Sequence, residues 1–161
     1  MTRLLRPLAL SALLLALPAL AQTGAVVTST DAPQVAAWLA ARGYNFSLDK
    51  DGEGMPLFHL EIAGGYKALL FFYDDDPDRP GYESLQLYAG FSTEGKVPLE
   101  AVNDWNYSYR FAKVYLDDER DPVIESDLDL AGGVNLEGAL AVFLQNFEAA
   151  FEAFVGEVVG E

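Results

Sequence analysis

YKALLFFY, residues 66–73, lies near the middle of the chain and decides the fold, because positions 68–72 are apolar without interruption. Side chains of a strand point alternately to its two faces, so this run predicts a strand with two apolar faces. Such a strand is either central and covered on both sides, or it presents one face to a partner. We therefore expect residues 66–73 to lie inside a sheet.

Further strands are predicted on both sides of this stretch. Residues 44–48 alternate, and residues 58–62 place apolar side chains on one face and polar ones on the other. Residues 84–91 alternate again, after residues 74–82, whose Asp, Pro and Gly content predicts a loop. Two more strands are expected at 110–117 and 124–130. In the last strand the expected inward residues are Ile124, Leu128 and Leu130, and the expected outward residues are Glu125, Asp127 and Asp129.

Three helices complete the prediction. Thr30 and Asp31 can cap a first helix that Gly43 closes, and Asn135 can cap a long last helix with apolar residues at helical spacing up to Val158. A middle helix from Pro98 to about Tyr107 would have one stripe, formed by Leu99, Val102, Trp105 and Asn106. The predicted order is α-β-β-β-β-α-β-β-α, an α+β fold with an antiparallel sheet and helices packed on one face.

The first 21 residues have the pattern of a secretory signal peptide. Two arginines precede an apolar run over residues 8–17, and Ala19-Leu20-Ala21 supplies the small residues of a cleavage site. The run is shorter than the about 20 residues that a spanning helix needs. We expect cleavage after Ala21, a flexible lead-in over residues 22–29, one domain over residues 30–161, no stable membrane insertion after cleavage, and a periplasmic or secreted protein.

Charge and cysteine content exclude several classes of function. The chain has 10 Lys and Arg against 25 Asp and Glu, a formal charge of -15. A field of this sign repels phosphate backbones and anionic lipid headgroups, so binding to nucleic acid or to an acidic membrane surface is not expected. The chain contains no cysteine. Disulfides, thiol catalysis and cysteine-ligated zinc are therefore excluded.

Residues that could carry chemistry form no complete set. The one histidine, His59, lies mid-strand, and no serine has a nucleophile elbow around it. Asp49, Asp51 and Glu53 resemble the opening of a calcium loop, but the twelfth position is Leu60, where such a loop needs Glu. We expect a hairpin turn there, with no cofactor and no metal. A divalent-metal site at these three residues, or in the acidic loop 74–78, is the alternative.

One set of motifs is more specific than these patterns. Residues 102–106 read Val-Asn-Asp-Trp-Asn, Arg110-Phe111 follows, and Glu-Ser-Asp-Leu-Asp-Leu over residues 125–130 leads to Gly-Gly before a Phe-rich helix. The chain resembles the YbjN family of bacterial proteins over about residues 30–158. The resemblance implies a fold like that of type III secretion chaperones and the broad label of bacterial sensory transduction regulator. It implies no catalytic residues. A signal peptide does not fit a direct role as a cytoplasmic secretion chaperone.

The favoured hypothesis is a non-enzymatic module of the cell envelope that binds a peptide or protein partner on its sheet face or in a groove. The alternative is a carboxylate-rich protein that binds a divalent metal, with hydrolysis as a further option. Trp105, Asn103 and Asn106 are the candidate binding residues, although a core role for Trp105 and backbone bonds from the two asparagines are favoured. A homodimer is compatible with the sequence.

Overall fold

The computed structural model describes residues 25–76 and 79–160. The signal-peptide prediction and its cleavage site lie outside the described residues. The strands are β1 (Val26–Val27), β2 (Phe46–Lys50), β3 (Pro56–Ile62), β4 (Tyr66–Asp76), β5 (Arg79–Gly90), β6 (Lys113–Leu116), β7 (Pro122–Asp129) and β8 (Val134–Asn135). The helices are α1 (Ala32–Ala41), α2 (Leu99–Ser108) and α3 (Leu136–Phe154), and Val155–Val159 continue α3 as a π-helical turn.

Six of these strands form one antiparallel sheet in the order β2-β3-β4-β5-β7-β6. β4 lies inside this sheet, as its two apolar faces predict. Together with the three helices, the sheet confirms the α+β fold class and the predicted order of the main elements. The short strands β1 and β8 pair only with each other and were not predicted.

The hydrophobic core lies on one face of the sheet, which we call the helix face. The buried residues of all three helices share one cluster with alternate strand residues such as Phe58, Leu70 and Leu87. α3 is long and apolar enough to cross a membrane by composition alone. Its Phe147, Phe151 and Phe154 are nevertheless buried in this cluster, so we interpret α3 as a core helix.

Both predicted N-caps are confirmed. The Asp31 carboxylate accepts a hydrogen bond from the backbone N–H of Gln34 at 2.8 Å, and the Asn135 side chain accepts one from Gly138 at 2.9 Å. Each bond satisfies one of the backbone donors that the first turn of a helix leaves without a partner. These two caps fix where α1 and α3 begin.

Two segments differ from the prediction because they pair with distant residues. The expected loop 74–82 is mostly strand, since Asp75 pairs with Tyr82 and Thr30 adds a bridge to Tyr82 on its other side. The expected flexible lead-in is partly ordered, because Val26 and Val27 pair with residues 134–135. Neither contact can be read from local composition.

Two side chains differ from their predicted environment. Leu99 was placed on the buried stripe of α2, but it is 60% exposed. It is the first residue of α2 and lines a cleft beside β6. Glu125 points away from the core as predicted, yet it is only 8% exposed because neighbouring side chains of β5 and β6 enclose it.

Candidate functional site

The face of the sheet opposite the helices is the main candidate site, and we call it the open face. Register places Leu69, Phe71 and Tyr73 of β4 on this face, alternating with the buried core residues Leu70 and Phe72. Tyr73 is 43% exposed, whereas Phe72 is 1% exposed. No helix among the described residues covers the open face. β4 therefore has one side in the core and one apolar side facing solvent.

Aromatic rings lie side by side on the open face. Phe71 stacks on Tyr73 with ring centroids 6.1 Å apart, and Tyr88 of β5 meets the Phe71 ring edge-on at 6.2 Å. Aromatic pairs of these geometries are each worth about 0.5–1.5 kcal/mol beyond the area that they bury. The three rings thus form a packed and partly exposed apolar surface.

A buried carboxylate lies beside these rings. Glu125 accepts a hydrogen bond from the Tyr115 hydroxyl at 2.6 Å, and its other oxygen lies 2.8 Å from the Lys113 ammonium group. The hydrogen bond to Glu125 raises the pKa of Lys113. Burial, followed by the bond to Glu125, raises the pKa of the Tyr115 hydroxyl far above its ordinary value. Tyr115 is therefore a hydrogen-bond donor at neutral pH and cannot act as a base there.

Further acids surround the rings. Asp127 accepts a hydrogen bond from the Gln86 amide at 2.8 Å, and Asp74 accepts one from the Ser84 hydroxyl. Burial raises the pKa of Tyr73, and the charge of Glu125 raises it further. A phenol whose ionisation is opposed in this way lies in a negative field. The open face is therefore an apolar surface enclosed by carboxylates.

The residues that could support catalysis or bind a metal are dispersed. Within residues 25–76 and 79–160, no three His, Asp or Glu side chains come together as a metal site. His59 is exposed on the open face opposite Leu69. Ser47 of β2 lies directly opposite His59, but no hydrogen bond joins the two side chains among the described residues. The described part of the chain therefore offers binding surfaces and no recognisable catalytic centre.

The predicted calcium-loop residues stabilise a hairpin turn. Asp51 accepts hydrogen bonds from the backbone N–H groups of Glu53 and Met55 at 2.9 Å each, and Asp49 accepts one from Lys50 at 2.8 Å. Local bonds of this kind are typical of Asx turns. Asp49 belongs to β2 and points to the open face, while Glu53 lies in the turn. The three carboxylates are thus separated by the hairpin geometry.

The comparison with protein families identifies the chain. A family model named YbjN, described as "Putative bacterial sensory transduction regulator", matches residues 31–158. The chain belongs to the YbjN family. No curated protein matches it. The family description names a regulatory role.

In this YbjN protein, the Val-Asn-Asp-Trp-Asn motif serves the structure. Trp105 is 2% exposed and stacks on Tyr109 at 4.9 Å, so the prediction of a core residue is confirmed. The amide of Asn106 donates to the Val114 carbonyl at 2.7 Å and accepts from the Val114 N–H at 2.9 Å. Asn106 thereby closes the outer edge of β6 as a neighbouring strand would.

Asn103 is the motif residue that stays available. It is exposed and lines a cleft of about 660 Å³ between α2 and β6, together with Leu99 and Leu116. Asn106 is also exposed and lines the same cleft, where it bonds to the Val114 backbone, whereas Trp105 is buried. A binding role for any of them stays a prediction.

The Arg-Phe motif displays its aromatic ring. Phe111 has a left-handed backbone with φ of 69° and a side chain that is 61% exposed. The buried Ser126 hydroxyl donates to the Phe111 carbonyl at 2.6 Å and holds this conformation. The ring lines an apolar groove of about 580 Å³ with Val142 of α3. A non-glycine residue at positive φ is strained, so the fold maintains this exposed ring at a cost.

Sequence reasoning missed the residues around Glu125. It treated Glu125 as an outward charge and gave Tyr88, Lys113 and Tyr115 no joint role. An aromatic residue on the polar face of a predicted strand, as at Tyr88, was the available signal. The register that brings Lys113 opposite Glu125 has no local signal in the sequence.

Proposed function

We propose that this YbjN protein is exported and acts in the cell envelope as a non-enzymatic regulatory module that binds a peptide or protein partner on the open face. The observation that carries the proposal is β4, which turns Leu69, Phe71 and Tyr73 to the open face while the helices cover its other side. Partly exposed aromatic clusters of this kind are typical of interaction sites. The regulator label of the family and the pattern of the leader support the proposal.

The binding site is tested by affinity capture from the periplasm of the parent organism. The baits are the parent protein, Phe71→Ser/Tyr73→Ser, and a control, Val142→Ser, that removes an exposed apolar side chain from α3. We expect one partner to bind the parent and the control and to be lost with the double variant. Circular dichroism of each bait checks that it is folded.

The captured partner is then purified and its binding to the three baits is measured directly. Equal affinity for the parent and for Phe71→Ser/Tyr73→Ser would refute the open face as the binding site. Export is tested separately by the intact mass of the protein in the periplasmic fraction. Its chain should begin at Gln22, and retention of residues 1–21 in membranes would contradict the exported, soluble form.

A further inference from the structure

We propose that the occupant of the open face is an extended, basic peptide segment with an apolar residue between two cationic ones. This inference rests on the proposed function and names the chemistry of the partner. It follows from the charges that register places on the open face and from the aromatic cluster between them.

Acidic groups outnumber basic ones on the open face. The lysines there are Lys67 and Lys113, and each already lies beside a carboxylate of the same face, Glu61 at 3.8 Å and Glu125 at 2.8 Å. Open-face carboxylates that form no ion pair among the described residues include Asp49, Asp127 and Asp129. Cations of a partner could therefore bind these three without displacing an existing pair.

Two of these acids flank the rings along one row of the sheet. Register places Asp49, Leu57, Phe71, Gln86 and Asp127 side by side on β2, β3, β4, β5 and β7. Neighbouring strands lie about 4.8 Å apart, so the two aspartates are about 19 Å apart with Phe71 midway. An extended chain advances about 3.3 Å per residue and spans this distance in about six residues.

The rings favour the same occupant. The faces of aromatic rings carry negative partial charge and attract ammonium and guanidinium groups, while they also pack against alkyl chains. In an extended segment, residues at even separations share one face, so Arg or Lys six positions apart and an apolar residue at the third position would all point to the sheet. Such a segment would place its charges near Asp49 and Asp127 and its apolar side chain beside Phe71. A second copy of this chain fits less well, because two acidic faces repel each other.

The probe is a seven-residue peptide with arginine at positions one and seven, leucine at position three and serine elsewhere, so that the three test side chains share one face of an extended chain. Its binding to the isotopically labelled protein is followed by NMR amide shifts at about 0.15 M salt, where the Debye length is about 8 Å. We expect the largest shifts on β3, β4 and β5. Replacing both arginines by citrulline, which has the same shape without the charge, should weaken binding about 2- to 25-fold, as expected for two surface ion pairs. Replacing the leucine by serine should also weaken it.

Protein variants separate specific binding from general attraction to an acidic protein. Asp49→Asn/Asp127→Asn should weaken the arginine peptide as much as citrulline does. The control, Glu100→Gln/Glu152→Gln, removes two exposed charges from helices α2 and α3 and should leave affinity within about twofold once salt screens long-range fields. An equal loss in both variants, or shifts centred on the helices, would overturn the inference.

The failure of this inference is distinguishable from failure of the proposed function. A partner that needs Phe71 and Tyr73 but binds Asp49→Asn/Asp127→Asn normally would overturn the basic-segment inference and leave the open face as the site. A dimer in sedimentation that Phe71→Ser/Tyr73→Ser abolishes would overturn it as well, because the occupant would be a second copy.

Discussion

Replacing Trp105 by alanine should damage the fold rather than a binding site. The side chain is 2% exposed on α2 and stacks on Tyr109 at 4.9 Å. Large aromatic truncations in cores cost about 3–5 kcal/mol. The buried indole N–H has no hydrogen-bond partner among the described residues. Removing this unpaired donor offsets part of the free energy of unfolding that the truncation costs. We therefore expect a cost near the lower end, about 3–4 kcal/mol.

The assay is urea unfolding of the purified variant, followed by tryptophan fluorescence. The chain has two tryptophans, so Trp38 remains as the probe when Trp105 is replaced. With urea slopes of about 1–3 kcal/mol per molar, the midpoint should fall by about 1–4 M. This is a large share of the roughly 5–15 kcal/mol that stabilises a domain, so poor accumulation of the variant agrees with the same reasoning.

Trp105→Phe is the matched control. It keeps an aromatic ring on the buried stripe and removes only the outer part of the side chain, with the unpaired N–H. Its loss should be less than half of that of the alanine variant. A midpoint for Trp105→Ala close to that of the parent, with an unchanged slope, would refute the core assignment. The motif of residues 102–106 would then be the first place to test for partner binding.

Three further outcomes are expected. Asn106→Ala leaves two outward backbone groups of Val114 without their side-chain partner, so urea unfolding should show a loss of about 1–3 kcal/mol. Folding raises the pKa of Tyr115, so its protonated hydroxyl stabilises the fold at pH values below the pKa of tyrosine in the unfolded chain, near 10. This stabilisation is lost as pH rises above that value. Tyr115→Phe should therefore lose less stability than the parent between pH 8 and 11. The hydrogen bond from the Thr93 backbone N–H lowers the pKa of Asp121. Its carboxylate therefore stabilises the fold at pH values above the pKa of aspartate in the unfolded chain, and this stabilisation is lost as pH falls. The decline of urea midpoints from pH 5 to pH 2 should be shallower in Asp121→Asn.

The sequence predicted features that depend on local pattern. The alternation of Phe58, Leu60 and Ile62 with His59 and Glu61 assigns each residue of β3 to a face, because strand side chains have a period of two. The structure confirms this, with the three apolar residues buried and the two polar ones exposed. The caps of α1 and α3 are also local features, since each capping hydrogen bond joins residues three apart in the sequence.

The features that sequence reasoning missed depend on contacts between distant segments. The acid- and proline-rich residues 74–82 favour a loop locally, but pairing with Tyr82 continues the hairpin. The burial of Glu125 depends on Lys113 and Tyr115, which the sheet brings beside it. A one-residue change in that register would move both side chains to the other face. The candidate site was therefore foreseen only as an apolar strand face, without its buried carboxylate.

In the function that we propose, the acids of the open face would give an apolar surface its selectivity for a partner. The rings of Phe71, Tyr73 and Tyr88 alone would favour association with any apolar surface. Carboxylates at Asp49 and Asp127 border them in the same sheet row, so an apolar partner must desolvate these charges unless it supplies cations. The same charges oppose contact between two copies of the chain. One arrangement of residues would thus favour the proposed basic segment over a second copy of the chain.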